Sequence, residues 1–369
     1  MAASTAMRRS LAIAMALTCA AGVFACAAPA LRAASLQSAT AEAASAAPTN
    51  SAELVAQTAA NKRAVKFVTD ETGRRMAIPL NVLRVVSLAP NLTETIYALG
   101  LQDKLAGDTT YCDTPAAAKE KPHVGGPVNP SLEAIVALHP DLVLATTSIN
   151  RAETADALLK LGIPVYTSDP HTVAGMLGST AIMADMLGAG EQGAKLVADL
   201  QKRLDAVHAA LQDRPMVHVL FVVWEDPLIS IGQNTFIADA LRWAGAESII
   251  VSNQNWPHVS MEEVVRLQPE YIVLTRDHLE SETDQQLNNL SDRPTWRDLR
   301  AVQLNHVVVA EDEVTKPSPG LVRSIEVLAR DLHPDAFPPQ TENGKTEIAS
   351  GRRFFAMSAA RKGCIACAR

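Results

Sequence analysis

One stretch occurs twice in this chain, and it constrains the fold more than any other feature. Ser131-Leu132-Glu133-Ala134-Ile135-Val136-Ala137-Leu138-His139-Pro140-Asp141-Leu142-Val143-Leu144 is followed 129 residues later by Ser260-Met261-Glu262-Glu263-Val264-Val265-Arg266-Leu267-Gln268-Pro269-Glu270-Tyr271-Ile272-Val273. Ser, Glu, Val, Leu and Pro recur at the same offsets. Each copy reads as a short helix opened by a serine N-cap, carrying apolar residues at helical spacing, and stopped by a proline before a buried strand. The chain therefore has two similar halves. Ser260 and Glu263 have the spacing of a capping box, which occupies Glu263 with the backbone and leaves Glu262 free. Glu133 and Glu262 then hold the second helical position, where the helix dipole favours a negative charge and the side chain points to solvent. Two lobes, each presenting one exposed carboxylate at a matching place, form a surface for a partner to grip.

Two halves agree with the length, since 369 residues correspond to about two domains. The formal net charge of −7 becomes −9 without the first 25 residues, which hold Arg8 and Arg9 and no acid. A mildly acidic chain with no basic stripe is a poor nucleic-acid binder. Residues 1–25 read as an export signal: Arg8-Arg9, an apolar run from Leu11 to Phe24, then small residues. That run is too short to span a membrane. Val23-Phe24-Ala25-Cys26 resembles a lipoprotein cleavage box that would leave Cys26 lipidated, and cleavage after one of several alanines is the alternative. Residues 26–62 are mostly Ala, Ser, Thr and Pro and read as a tether.

Beyond the tether, Val65-Lys66-Phe67-Val68 and Met76-Ala77-Ile78 flank Asp70-Glu71-Thr72-Gly73, a hairpin signal. Strand, turn and helix then alternate. Arg84 to Ala89 is an apolar strand, and Asn91-Leu92-Thr93-Glu94 has the pattern of a capping box starting a helix that ends at Gly100. The same alternation predicts strands at 105–107, 142–145 and 165–167, with helices at Ser131 and near 154–161. It indicates a parallel sheet wrapped by helices, with ligands beyond the carboxyl ends of the strands. From Glu191 to Gln212, Val197, Leu200, Leu204, Val207 and Leu211 recur at steps of three and four, giving one helix of roughly 33 Å. The second half predicts strands at 217–223, 249–251, 272–274 and 307–309, and helices at 235–244 and 321–332. The fold class is thus α/β: two Rossmann-like lobes with mostly parallel sheets, at 63–188 and 214–337, joined by one long helix at 189–213. Residues 338–369 read as lying outside the folded core.

Several of these residues together resemble the helical-backbone class of periplasmic substrate-binding proteins, which serve ABC importers of vitamin B12, ferric siderophores and haem. They are the strand-turn-helix 84–100, Val124-Gly125-Gly126 leading to Asn129-Pro130-Ser131-Leu132-Glu133, the linking helix, and Trp256-Pro257-His258-Val259-Ser260-Met261-Glu262. The likeness covers roughly residues 63–335 and is strongest to the cobalamin-binding members. It implies that Glu133 and Glu262 engage arginines on the importer's membrane subunits. It nominates Tyr111, in Thr110-Tyr111-Cys112-Asp113, and Trp256 as aromatic faces for a corrin ring. Trp224 leaves a strand at its carboxyl end and also faces the cleft. Asp312 and Lys316, the latter opening Lys316-Pro317-Ser318-Pro319, match a loop lining the pocket floor. The cobalamin pattern has a further tryptophan before the first glutamate, where this chain has Gly125-Gly126-Pro127-Val128, and siderophore and haem members place arginines where it offers only Lys316. The implied ligand is therefore cobalamin or a related corrinoid, with a ferric siderophore, haem or metal chelate as the alternative.

Other features have plainer readings. Trp243 and Trp296 have apolar neighbours and read as core. His139 is matched by Gln268 in the repeat and needs no special role, while His258 is a lone loop histidine. No His-Glu-x-x-His, phosphate loop, Gly-x-Gly-x-x-Gly or Gly-x-Ser-x-Gly motif is present, so neither an enzyme nor a metal centre or cofactor is expected. Cys112 reads as a small packed residue, and Cys364 and Cys367 form a Cys-x-x-Cys in the basic tail. The expected product is an exported, periplasmic or cell-envelope binding protein. An extracytoplasmic enzyme or sensor on the same scaffold is the remaining alternative.

Overall fold

The computed structural model describes residues 64–275, 290 and 293–337, and the strand pairs Thr341–Glu342 and Lys345–Thr346. The signal, the tether, Cys26, Cys364 and Cys367 lie outside the described residues. The chain enters through an antiparallel hairpin, β1 (Val65–Thr69) and β2 (Arg75–Pro79), turned at Gly73 with φ +86°. The first lobe follows as β3 (Val85–Ser87), α1 (Pro90–Ala98), β4 (Leu105–Gly107), α2 (Leu132–Ala137), β5 (Leu142–Thr146), α3 (Ala152–Lys160) and β6 (Val165–Ser168). Next come α4 (Val173–Met186) and the long α5 (Gly190–Leu211). The second lobe comprises β7 (Val217–Val222), β8 (Trp224–Glu225), β9 (Leu228–Ile229), α6 (Phe236–Trp243), β10 (Ala246–Ser248), α7 (Met261–Leu267), β11 (Tyr271–Thr275), α8 (Arg300–Gln303), β12 (Val307–Ala310) and α9 (Leu321–Leu332). Among the described residues no helix is long and apolar enough to cross a membrane.

Each lobe holds a four-stranded parallel sheet, in the order β4-β3-β5-β6 and β10-β7-β11-β12. The two orders coincide when the lobes are matched through the repeat. Apolar runs form these strands because helices cover both faces. In the first lobe Val85, Leu142, Leu144 and Tyr166 enter one core layer, while Val86, Val143, Ala145 and Val165 enter the other. In the second, Val217, Val219, Phe221 and Val273 alternate with Leu220, Val222, Ile272 and Leu274 in the same way.

The repeat governs the local backbone as well. His139 and Gln268 both adopt left-handed φ, +46° and +47°. Each precedes a proline, which disfavours the right-handed helical conformation, and the chain leaves both helices through the same turn. Asp141 then accepts from the N–H groups of Leu83 and Arg84, both at 2.9 Å, and Glu270 accepts from that of His218 at 3.0 Å. The matching acids thus pin the starts of the two central strands.

A long helix joins the lobes, as the spacing predicts, and a second one packs against it. Helix α4 contributes Val173, Met176 and Leu177 to the second lobe's core and Met183, Met186 and Leu187, just past its end, to the first lobe's core. Helix α5 returns alongside it. Leu200, Leu204, Val207 and Leu211 then bury against the second sheet, and Arg203 donates to both carboxylate oxygens of Glu326 on α9 at 2.9 and 2.8 Å.

Three local expectations are corrected. Helix α1 starts at Pro90 without a side-chain cap, so Asn91 and Glu94 form no capping box. The second-lobe edge strand is Ala246–Ser248, not 249–251: Val217 N–H donates to Gly245 O and Ile249 N–H to Val219 O, after which the chain leaves the sheet. The serine half of the second repeat's cap is present, with Ser260 Oγ accepting from Glu263 N–H, while the Glu263 carboxylate faces Arg266 at 3.7 Å.

Candidate ligand cleft and docking surface

Exposed apolar side chains gather on the loops beyond the carboxyl ends of the strands. In the first lobe these are Tyr111, 66% exposed, with Val128 and Ile149; in the second they are Trp224, 50%, Trp256, 48%, and Val251. Such surface is costly in water unless something covers it. By contrast Trp296 is buried in the second lobe's core, and Trp243 packs on that core edge-on to His208.

The two tryptophans are brought together by backbone pairing. Trp224 lies on β8 opposite Ile229 of β9, and Ile229 in turn bridges His258. Ser230 N–H donates to Pro257 O at 3.1 Å, Val259 N–H to Leu228 O at 3.0 Å, and Gly232 N–H to Asn255 O at 3.0 Å. Gly232 is required here, because a Cβ on it would collide with the carbonyl of Gln254 as the tryptophan loop crosses over. Trp224 Nε1 donates to Asp226 O at 2.8 Å, and Glu225 is held by Arg293 at 2.6 Å, which fixes the β8–β9 turn. Sequence reasoning did not anticipate this three-ribbon platform, since its middle ribbon is only two residues long.

Tyr111 is held from the other lobe. Thr110 N–H donates to Gly125 O, Asp108 N–H donates to Pro122 O, and Asp108 O accepts from Val124 N–H. Beneath the loop, Cys112 is buried between the hydroxyls of Thr93 and Thr109, and burial pushes its thiol pKa up. It is a packed residue. Asp108 is wholly buried, with Oδ1 2.8 Å from Nδ1 of His123.

Between the lobes, α1 faces the 311–323 segment across a cavity of about 550 Å³ lined by Glu94, Thr114, Glu311, Asp312, Glu313 and Arg323, among others. Asp312 thus lies in the interlobe space. Lys316 does too, but engaged: its Nζ is 3.3 Å from Glu94 Oε1, and Ser318 Oγ donates to Glu94 Oε2 at 2.7 Å. Glu94 is only 8% exposed, and burial pushes its carboxyl pKa up against the pull of Ser318 and Lys316. Burial opposes the charge on Lys316, yet Glu94, Glu313 and Asp113 outweigh it and raise the ammonium pKa. Glu94 and Ser318 were missed in the sequence. In the sequence Glu94 read as half of a capping box, and its burial, with the whole Asn91–Ile96 stretch, shows only in the structure.

Glu133 and Glu262 stand exposed in the first turns of α2 and α7, whose serine N-caps each accept a backbone bond at 3.2 Å. Neither carboxylate is in an ion pair among the described residues, where their neighbours Glu263 and Glu270 are. No group of three or more His, Cys, Asp or Glu able to hold a metal ion occurs among the described residues.

Residues 85–314 match the family model described as periplasmic binding protein. A vitamin B12-binding protein of Vibrio parahaemolyticus serotype O3:K6 (strain RIMD 2210633) is 29% identical over 250 residues, covering 66% of this chain and 87% of the relative. The crystal structure of the periplasmic vitamin B12 binding protein BtuF of Vibrio cholerae is similar at TM-score 0.61 and 25% identity, covering 70% of this chain and 99% of that one. A periplasmic heme binding protein from Pseudomonas aeruginosa is similar at TM-score 0.62 and 25% identity, covering 70% and 96%. With more than half its length matched and its two parallel-sheet lobes shared with these structures, the chain belongs to the periplasmic binding protein family, in the class of vitamin B12, haem and siderophore binders, and is a substrate-binding protein rather than an enzyme.

Proposed function

We propose that this protein captures cobalamin or a related corrinoid between its lobes, outside the cytoplasm, and delivers it to an ABC importer. The observation that carries this reading is the trio of exposed rings, Tyr111, Trp224 and Trp256, on carboxyl-end loops of both lobes. A flat macrocycle gains hydrophobic and dispersion contact from such faces without needing many hydrogen bonds. Asp312, in the cavity wall, is the candidate to meet a polar edge of the ligand. Lys316 is a weaker candidate for direct contact, because its charge is taken up by Glu94. Glu133 and Glu262, one per lobe, dock on arginines of the membrane subunits. Export is directed by residues 1–25, with Cys26 as the candidate lipid anchor.

The test is calorimetric titration of the purified chain with cyanocobalamin, dicyanocobinamide and haemin, followed also by tryptophan quenching. One-to-one binding of a corrinoid with Kd below about 1 μM is expected. Trp256→Ala should weaken it about tenfold, the scale of one lost aromatic contact and the area it buries. Absence of corrinoid binding alongside tight haemin binding would transfer the assignment to haem.

A further inference from the structure

Among the described residues, the charges around the cleft do not fit an anionic ligand. Glu94, Glu311, Asp312 and Glu313 line the cavity, and Asp113, Glu225 and Asp226 stand on the ring-bearing loops. Among the described residues three cations are paired with them: Lys316 with Glu94 at 3.3 Å, Arg323 with Glu311 at 3.5 Å, and Arg293 with Glu225 at 2.6 Å. Lys316 is the one best placed to meet a ligand, since it stands between the lobes within electrostatic reach of Asp113, two residues from Tyr111. Its partner is unusual. Glu94 comes from the opposite lobe, is nearly buried, and is fixed a second time by Ser318 from the same loop as Lys316. A buried pair of this kind contributes little net stability compared with apolar residues, so its stability alone does not account for it. What the pair does is cancel a positive charge between the lobes, held by a glutamate that lines the interlobe cavity.

We infer that Glu94 is a specificity-determining residue: by holding Lys316 in a neutral pair across the lobes, it makes the cleft select uncharged, amide-rimmed macrocycles over those bearing free carboxylates. The inference rests on the proposed binding of a macrocycle between the lobes and names the charge class admitted there. Corrinoids with amide side chains are admitted. Haem, with its two propionates, and carboxylate-bearing corrinoids are disfavoured, because none of these three cations is released to meet them and the surrounding carboxylates repel them.

Two corrinoids that differ at one position make the comparison: dicyanocobinamide, amidated throughout, and dicyanocobyric acid, which keeps one free carboxylate. Affinities for both, and for haemin, are measured with the wild-type chain, Glu94→Gln and the Glu94→Gln/Lys316→Met double variant. Glutamine can still accept from Ser318, so the variant removes charge and little else. The expected result is that Glu94→Gln raises the ratio of cobyric acid to cobinamide affinity at least tenfold, about 1.4 kcal/mol. Haemin affinity should rise in parallel. Adding Lys316→Met should return both to wild-type values, because the double variant is neutral again. A merely structural role for Glu94 would instead lower all three affinities together and leave the ratio unmoved, and that overturns the inference. Should neither corrinoid bind any of the three proteins, the corrinoid reading has failed, and haemin alone decides this point. A rise in Glu94→Gln that is lost in the double variant supports the inference, and a flat response overturns it. Should Glu94→Gln fail to fold, wild type and double variant are compared: matching ratios support a cancelled charge, and a tenfold loss of carboxylate affinity in the double variant overturns it.

Discussion

Asp108 shows how much a single side chain can be strained by its position. Its side chain is fully buried at the end of β4, Oδ1 meets His123, and Oδ2 is buried without a hydrogen bond. Burial pushes its pKa from 3.8 to about 6, more than the hydrogen bond and charge of His123 and the charge of Lys121 pull it down. Tyr97 and Cys112 also face it, and its charge adds to burial in raising both of theirs. The sign follows from linkage. Between about pH 4 and 6 the folded state holds this proton more tightly than the unfolded chain, so the stability Asp108 contributes is complete below that window and is lost as pH rises through it. Asp108→Asn removes the titration. Urea midpoints of variant and wild type, measured at pH 4, 5, 6 and 7.5, should shift in the variant's favour up to pH 6 and run parallel above it; curves parallel throughout would show that the carboxyl does not titrate there. None of this was legible in the sequence. Asp108 and Glu94 are ordinary acids at ordinary spacings, and what distinguishes them is burial by elements 15 and 222 residues away. The exposure of Trp224 and Trp256 was legible, because an aromatic that follows a strand and precedes a proline in a loop has few structural duties, whereas Tyr111 was nominated only by the family resemblance.

Among the elements, α4 was invisible to pattern reading while its partner α5 was plain. Helix α5 has a solvent face, so its apolar residues fall at steps of three and four. Helix α4 enters the second lobe's core at its start and the first lobe's at its end, so Val173, Met176, Met183 and Met186 share the helix with Gly175, Gly178 and Ser179 and leave no single apolar stripe. Strand β10 was displaced in the sequence reading for a related reason. The apolar triplet 249–251 looks like a strand, yet Val251 is among the most exposed apolar residues and belongs to the cleft surface. The helix pair offers two glycines with opposite expectations. Gly193 of α5 sits where a Cβ would run into that of Ala184 on α4, with Leu99 close behind. A methyl on the backbone cannot swing aside, so Gly193→Ala should cost about 1–3 kcal/mol by forcing the helices apart, despite alanine's better helix propensity. Gly178 is exposed with nothing within 4 Å of its Cβ position, and Gly178→Ala should add about 0.5–1 kcal/mol. Thermal melts of the two variants should move in opposite directions; a stabilised Gly193→Ala would mean that the pair packs less closely than described.

The whole molecule repeats one design twice, and that much was readable from a fourteen-residue echo. The copies agree in sheet order, in the left-handed residue before each proline, and in the acid that pins the central strand. They also agree in Glu133 and Glu262, which Ser131 and Ser260 place in equivalent first turns. Both residues are exposed and neither closes an ion pair among the described residues, so packing and pairing do not explain them. Reversing a charge in a helix's first turn costs about 0.3–1 kcal/mol at an exposed site, which leaves the protein folded. A docking role predicts a much larger loss of function. In cells that depend on this protein for corrinoid, Glu133→Lys or Glu262→Lys alone should reduce uptake, because each removes one of two anchors, and the double variant should abolish it. The purified double variant should bind dicyanocobinamide with wild-type affinity, since both residues lie on the α2 and α7 surface and not among the rings. Uptake that survives the double reversal would leave the paired carboxylates as a relic of duplication; affinity lost together with uptake would place them in the ligand site instead.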